Sequence, residues 1–435
     1  MDILIPKLYK EYGQYINSFR SFPLDVDGLK PAERRVLLSA HQIARSKLVK
    51  SAKIDGYTIG NFHPHGSVYG TIVQLVHQGF LEGQGNFGAN FGVQPIGPAA
   101  MRYTEARLSR FIKEIAFKYV EHVNWNTNDL DEKEPEFLPT MFPLCFCGTE
   151  YTQGIGFGYR TLIPCFRVED LYKRLLWVLK IEKTEPIIKP ITGCTITATN
   201  AELKTLLTTG KSVISVKGVI KTIPLQCKVI LKSWPAGKRF ESILGKLSKE
   251  LDNGDIGFTD SSVTDTEIVF EVLKQRSRDV IYKKFLKTLR EAVKGSISFE
   301  NNVVDVNQNV KLKSIDQMLL TTYSMFTQVR KQVFRRQIQD VKAQILELKI
   351  LEKIRPSLST VLRNKLPENQ AITKISKTTK VSEIDIRYLF GKYRISKLLN
   401  MSIETTTLNT EVNSLTSDLN NITNVVLNHY NELFE

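Results

Sequence analysis

The stretch SVISVKGVIKTIPLQCKVILKS at 212–233 runs almost directly into RFESILGKLSKEL at 239–251. The first alternates β-branched and polar residues and is punctuated by Gly218 and Pro224, the pattern of short strands joined by turns. The second reads as a helix. Strand-like and helical stretches of this kind follow one another from about 126 to 310, which reads as an α+β domain.

This domain is one part of a larger chain. At 435 residues the sequence exceeds what one hydrophobic core usually supports, so it reads as multidomain. Its 42% hydrophobic and 24% charged residues are ordinary for a globular protein. Its net charge of +15 is not. Such an excess points to an acidic partner, nucleic acid or a membrane surface. Five cysteines, at 145, 147, 165, 194 and 227, are odd in number and irregular in spacing. They give neither a disulfide framework nor a zinc motif and read as reduced, partly buried thiols. The N-terminus MDILIPKLYKEYG mixes charge into its apolar residues and is no signal peptide. No apolar run reaches the roughly 18 residues of a membrane span. The expectation is an intracellular protein without membrane contact.

Towards the C-terminus, from about 311 to 435, helical periodicity dominates. Phe334, Ile338, Val341, Ile345 and Leu348 form one stripe of alternating four- and three-residue steps. Leu408, Val412, Leu415, Leu419, Ile422 and Val426 form a second. Each has coiled-coil spacing, and the two could pair as antiparallel arms. VSEIDIRYLFGKYRISKLLN, at 381–400, is apolar enough to cap them and to serve as a dimer contact. Pattern alone fits an ordinary helical hairpin equally well.

In the N-terminal region, 1 to about 125, DGLKPAERRVLLSAHQIARSKLVKSAK reads as one helix opened by Pro31. On a helical wheel Val36, Ala40 and Ile43 share one face, and Arg34, His41 and Arg45 the other. Between Lys30 and Lys53 lie seven Lys or Arg and one acid, Glu33. Such a face is either simply solvated or binds phosphate. Further on, Gly83, Gly85 and Gly88 match G-x-G-x-x-G, but the preceding TIVQLVHQ is helical and no helix is opened after them. A dinucleotide site is therefore rejected, and the glycines read as tight turns beside a ligand or another backbone. His63 and His65 flank Pro64 in what reads as an extended segment, which would set them on opposite faces. No third metal ligand is evident, so proton transfer or phosphate contact is the chemistry open to them.

Arg102 and Tyr103 follow in AAMRYTEARL, 99–108. A free tyrosine has a pKa near 10 and is about one-thousandth ionised at neutral pH. Nearby positive charge makes a phenolate nucleophile possible. Local physics allows this role for Tyr103 without selecting it over a structural one.

The ordered set DGLKPAERRVL, HPHG, EGQGNFG and AAMRYTEARLS, continued by GIGFGYRTLIP, resembles the breakage-reunion (A) subunit of type IIA DNA topoisomerases, the A subunits of gyrase and topoisomerase IV. The resemblance extends over nearly the whole chain. It implies a winged-helix DNA-cleavage domain (1–125), a tower domain (126–310) and antiparallel coiled-coil arms with a terminal dimerisation globule (311–435, contact near 381–400). It implies that Tyr103 attacks a DNA phosphodiester and is linked to the 5′ end, with Arg102, Arg20 and His65 as the other catalytic groups. It places Lys30, Arg34, Arg35, Arg45 and His63 against DNA, and Ile155 as a wedge that bends the duplex. Two tyrosines for two strands imply a homodimer. No P-loop and no carboxylate cluster is evident, so Mg²⁺ and ATP are expected on a B-type partner chain.

The chain ends soon after the second stripe. The resemblance therefore implies a compact, phage- or virus-like form without the DNA-wrapping domain, suited to relaxation or decatenation rather than supercoiling. A catalytically idle DNA clamp is the alternative. Three departures stand out: Glu33 where bacterial relatives often carry histidine, Gly70 at an acidic position used by quinolones, and a longer loop, ANFGVQPIGPAA, before the tyrosine. The second implies weak quinolone sensitivity.

Overall fold

The computed structural model describes residues 4–434 apart from 150, 252, 253, 275 and 365. The chain divides into two compact units, Met1–Phe326 and Thr327–Glu435.

The first unit opens with α1 (Leu4–Ile16), a π-helical turn (Asn17–Ser21) and α2 (Pro31–Ile43). Pro31 occupies the first turn of α2, where its missing N–H costs nothing. The Glu33 carboxylate accepts from Lys30 N–H at 2.9 Å. The single helix expected to run on to Lys53 ends at Ile43 instead. The chain then enters β1 (Val49–Lys50) and starts again as α3 (Ser51–Asn61). Sheet pairing decides this: Val49 pairs with Ala106 and Lys50 with Glu105, and Leu108 N–H donates to Ala44 O at 3.1 Å. No Pro or Gly marks the break, so local propensity hides it. After α4 (Tyr69–His77) come β2 (Leu81–Gln84) and β3 (Glu105–Leu108), which complete an antiparallel sheet of order β1-β3-β2. Helix α5 (Arg110–Ala116) and the hairpin β4 (Trp125–Thr127) and β5 (Lys133–Pro135) follow.

The rest of the unit holds β6 (Tyr151–Ile155), β7 (Arg160–Pro164), α6 (Val168–Val178), β8 (Thr195–Ile196), α7 (Asn200–Thr209), β9 (Lys211–Lys217), β10 (Ile220–Ile223), β11 (Lys228–Leu231), α8 (Phe240–Glu250), β12 (Ile256–Asp260), β13 (Ile268–Val272), α9 (Arg278–Ala292), β14 (Lys294–Glu300), β15 (Asn302–Val304) and β16 (Val310–Leu312). The stretch 212–251 thus forms strands and then a helix, as its pattern predicts. Two larger antiparallel sheets result, ordered β6-β7-β14-β9-β8 and β10-β11-β13-β12, and β15 pairs with β16 as a two-stranded sheet. Helix α7 covers the first through Leu203 and Leu206 against Ile214, Val216, Ile297 and Phe299. Helices α8 and α9 cover the second through Ile243, Phe285 and Leu289 against Val229, Leu231 and Phe270. These are mixed, antiparallel α+β layers.

A long helix, α10 (Ile315–Arg363), starts in this unit. Its first turn is held by Arg174 of α6, whose side chain is fully buried. The guanidinium donates to both Asp316 oxygens at 2.7 Å and to Glu185 Oε1 and Pro186 O at 3.0 Å. A desolvated charge is tolerable only with partners of this kind.

In the second unit, the end of α10 packs with α11 (Glu368–Thr379), α12 (Glu383–Lys392) and α13 (Ile395–Asn400) around Leu351, Ile354, Ile372, Ile375, Ile386, Leu389 and Leu398. This cluster includes the 381–400 segment read as a cap. Helices α14 (Thr406–Asn420) and α15 (Ile422–Asn431) close the chain. Of the first stripe, Phe334, Ile338, Val341 and Ile345 are buried. Of the second, Ile422 and Val426 are buried, and Leu408 to Leu419 are half-buried. The helix break at Asn421 falls inside that second stripe. All five cysteines lie outside any disulfide. Among the described residues no helix is long and apolar enough to cross a membrane.

Candidate active site

Tyr103 sits in the turn that leads into β3, and its side chain is 63% exposed. The Arg102 guanidinium lies over its ring, 4.5 Å from the centroid. The side chain is open, but its backbone is fixed. Tyr103 N–H donates to Ala100 O at 2.9 Å, and Ala52 N–H of α3 reaches Met101 O at 3.3 Å. The next residue, Thr104, is fully buried. Its hydroxyl donates to Ser51 Oγ at 2.8 Å, and its carbonyl accepts from Ser51 N–H at 2.9 Å. Tyr69 Oη of α4 donates to Ala99 O at 2.6 Å and lies 3.1 Å from Thr104 Oγ1. Two helices therefore clamp the main chain on both sides of the tyrosine, a fixed mount for an exposed side chain. Ser51, Tyr69 and Thr104 were not identifiable from sequence. Their contacts join positions up to 53 residues apart, and no local pattern marks them.

A glycine turn supports the same platform. Gly88 has φ +82°, and a Cβ there would stand 2.5 Å from Ile96 O. Gly85, close to Tyr103 O, and Gly88 serve close approach to another backbone, one of the two roles their sequence suggests, whereas Gly83 packs against the Phe87 and Val76 side chains.

The second group of expected residues gathers around the histidines. The 63–66 segment is a turn rather than an extended strand. It sets the His63 and His65 rings edge to face, with centroids 5.2 Å apart. This corrects the expectation of opposite faces: the turn breaks the two-residue alternation. Burial, then the charges of Arg35, His65 and Arg20, pull the His63 imidazole down to about 4. His65 is lowered in the same direction by partial desolvation and by Arg20 and Arg35. Arg20, at the exposed end of the π-helical turn, therefore shares one positive corner with Arg35, His63 and His65. Arg35 is itself bonded through two nitrogens to Glu134 at 2.8 Å. Among the described residues no hydrogen bond, ion pair or ring contact joins this corner to Arg102 or Tyr103.

The remaining basic residues diverge. Arg34 corrects the helical-wheel reading: it turns inward and binds the fully buried Asp27 carboxylate at 2.7 and 2.9 Å. Asp27 also accepts from Leu29 and Leu138 N–H at 3.0 Å. Arg34 thus fixes the loop before α2 and is withdrawn from the basic face. Lys30 caps Gln153 O at 2.6 Å. Arg45 is exposed beyond the end of α2, where its charge helps lower His41. Ile155 is 86% exposed at the tip of the β6–β7 hairpin. Asn17 holds that hairpin to the π-helical turn, through bonds of 3.0 and 2.7 Å with Phe157.

Comparison with known proteins follows the same lines. Residues 20–434 match the family of the DNA gyrase/topoisomerase IV A subunit. The chain belongs to this family. It is 28% identical to the DNA gyrase A subunit of Metamycoplasma arthritidis over 434 aligned residues, covering 91% of the chain and 46% of that relative. It is 26% identical to the Thermotoga maritima gyrase A protein, covering 91% and 52%. A shorter match to its Neisseria gonorrhoeae counterpart reaches 38% over 192 residues, 41% of the chain and 20% of the relative. The chain thus spans about half the length of those relatives it matches along most of its own.

The family implies Mg²⁺. Among the described residues, no group of three or more His, Cys, Asp or Glu is placed to hold a metal ion. The donors present among the described residues do not fit such a site.

Proposed function

We propose that this chain is the DNA-cleaving and resealing subunit of a type II DNA topoisomerase. The observation that carries the reading is the exposed Tyr103 phenol on a clamped backbone, with Arg102 over its ring. The phenolic oxygen attacks a backbone phosphorus, and the 3′-oxygen leaves with a proton. The enzyme is left linked to the 5′ end. Attack by the freed 3′-hydroxyl reverses the step and returns the proton to the phenol. One phosphodiester is exchanged for another, so resealing needs no new source of energy.

The corner where Arg20 and Arg35 stand beside His63 and His65 suits phosphate, and a neutral His65 is able to accept a proton. Cationic clamps on phosphoryl oxygens are the general means of stabilising this transition state. Helices α2 to α4 with the β1-β3-β2 sheet support a winged-helix reading of residues 1–125, and the two larger sheets a tower over 126–310. The two apolar stripes support antiparallel arms in 311–435. Two strands need two tyrosines, hence a homodimer. The B-type partner contributes Mg²⁺ and ATP. Strand passage by this assembly changes DNA topology.

The test mixes the chain with a gyrase-type B protein, Mg²⁺, ATP and supercoiled plasmid, and traps with detergent and protease. Double-strand breaks with protein on 5′ ends, lost in Tyr103→Phe, are expected. DNA binding without trapped breaks beside an active partner would refute the reading and leave an idle clamp.

A further inference from the structure

The loop between β2 and β3 is far longer than a hairpin needs, and its middle reaches another sheet. Ala89 and Ile96 exchange backbone hydrogen bonds of 2.9 and 3.0 Å and close a small projecting hairpin. At its tip, Val93 N–H donates to Asp260 Oδ2 at 2.8 Å and Gly92 N–H to Thr266 Oγ1 at 3.2 Å. Asp260 ends β12. The Val93 side chain packs on the apolar core beneath the β10-β11-β13-β12 sheet. The fit is close. Gly92 has φ +82°, and a Cβ there would stand 3.0 Å from Asp260 Oδ2. The acceptor is itself oriented by Ser262 N–H at 3.0 Å. Bonds from Ser262 and Val93 hold the Asp260 carboxyl below its usual range.

The root of the same hairpin is the tyrosine platform. Ala99 N–H donates to Asn86 O at 2.9 Å, and Ala99 O accepts from Tyr69 Oη. Pro95 and Pro98 stiffen the return path by fixing φ. A segment bonded at tip and root, with two prolines between, transmits displacement instead of absorbing it.

We propose that residues 89–97 form a strut that ties the backbone at Tyr103 to the β12–β13 sheet, and that Asp260 is thereby a positioning residue for DNA cleavage. The positioning role rests on the function proposed above; the strut does not.

The test is single-residue hydrogen–deuterium exchange on the whole chain, with Asp260→Ala and Asp260→Asn. In Asp260→Ala the Val93 amide should exchange about tenfold faster, the scale of one bond to a charged acceptor, and the neighbouring Gly92 amide should quicken with it. The Ala99 and Tyr103 amides should quicken several-fold, while β11 and β13 stay protected. Asp260→Asn keeps an acceptor and should restore protection at both ends. Loosening confined to 92–93, or a Val93 amide already unprotected in the wild type, overturns the strut. In the cleavage assay, Asp260→Ala should lower the trapped covalent fraction several-fold at unchanged DNA affinity. A change below twofold overturns the positioning role. A wild-type chain that traps no covalent complex overturns the proposed function and, with it, that role, while the strut is still judged by the exchange data.

Discussion

Arg34→Met offers a sharp test of which basic residues face the solvent. In the folded chain the Asp27 carboxylate is fully buried and accepts four hydrogen bonds, two from Arg34 and one each from Leu29 and Leu138. Methionine fills much of the volume but leaves the carboxylate with two backbone donors and no opposite charge. Breaking a buried pair from one side costs about 3–5 kcal/mol, because the remaining charge stays desolvated. At a urea m-value of about 3 kcal/mol/M the unfolding midpoint of the first unit falls by about 1 M or more. The double variant Asp27→Asn/Arg34→Met should recover a large part of the loss. The salt dependence of DNA binding discriminates further. A phosphate-contacting arginine contributes about 0.9 to the slope of log K against log salt. For Arg34→Met the slope should match the wild type below the midpoint. A stable variant whose slope drops by about 0.9 would refute the inward assignment.

Two further outcomes are expected. His63 is lowered to about 4 in the folded chain, against about 6.5 when unfolded. The unfolded chain therefore binds the extra proton between these values. The contribution is complete above about pH 6.5 and lost as pH falls through about 4, about 1–2 kcal/mol after allowance for solvent at the half-exposed ring. His63→Gln should flatten that limb of the stability curve, and an unchanged limb would show that the ring titrates normally. Ile155→Ala removes a fully displayed side chain, so free-protein stability should stay within about 0.5 kcal/mol. Energy transfer between labelled DNA ends should fall as the bend relaxes; unchanged transfer would remove Ile155 as the wedge.

The parts of the fold legible in the sequence are those with local periodicity. The strand–turn–strand pattern of 212–233 and the stripe from Phe334 to Ile345 each repeat within a few residues. The end of α2 was not legible, because its cause lies about 60 residues away in the pairing of β1 with β3. Arg34 shows the limit of a helical wheel, which sorts faces but does not see Asp27 folding back over one of them. At Tyr103 the residues themselves leave two roles open, and only the resemblance carried by a set of distant motifs implies the nucleophile. Neither the tyrosine's platform nor the strut is visible in any of those motifs, since both consist of hydrogen bonds between separated backbones and short polar side chains.

The cluster at the root of α10 has a mechanical consequence. Arg174 is closed off from water, and its partner Asp316 lies in the first turn of a 49-residue helix. A pull along that helix meets the ion pair before it reaches the strands behind. Here the guanidinium is shielded from solvent, so opening the joint strands a desolvated charge, at a cost of about 3–5 kcal/mol. The first turn of the helix is thereby locked to α6 and to the segment at Glu185 and Pro186.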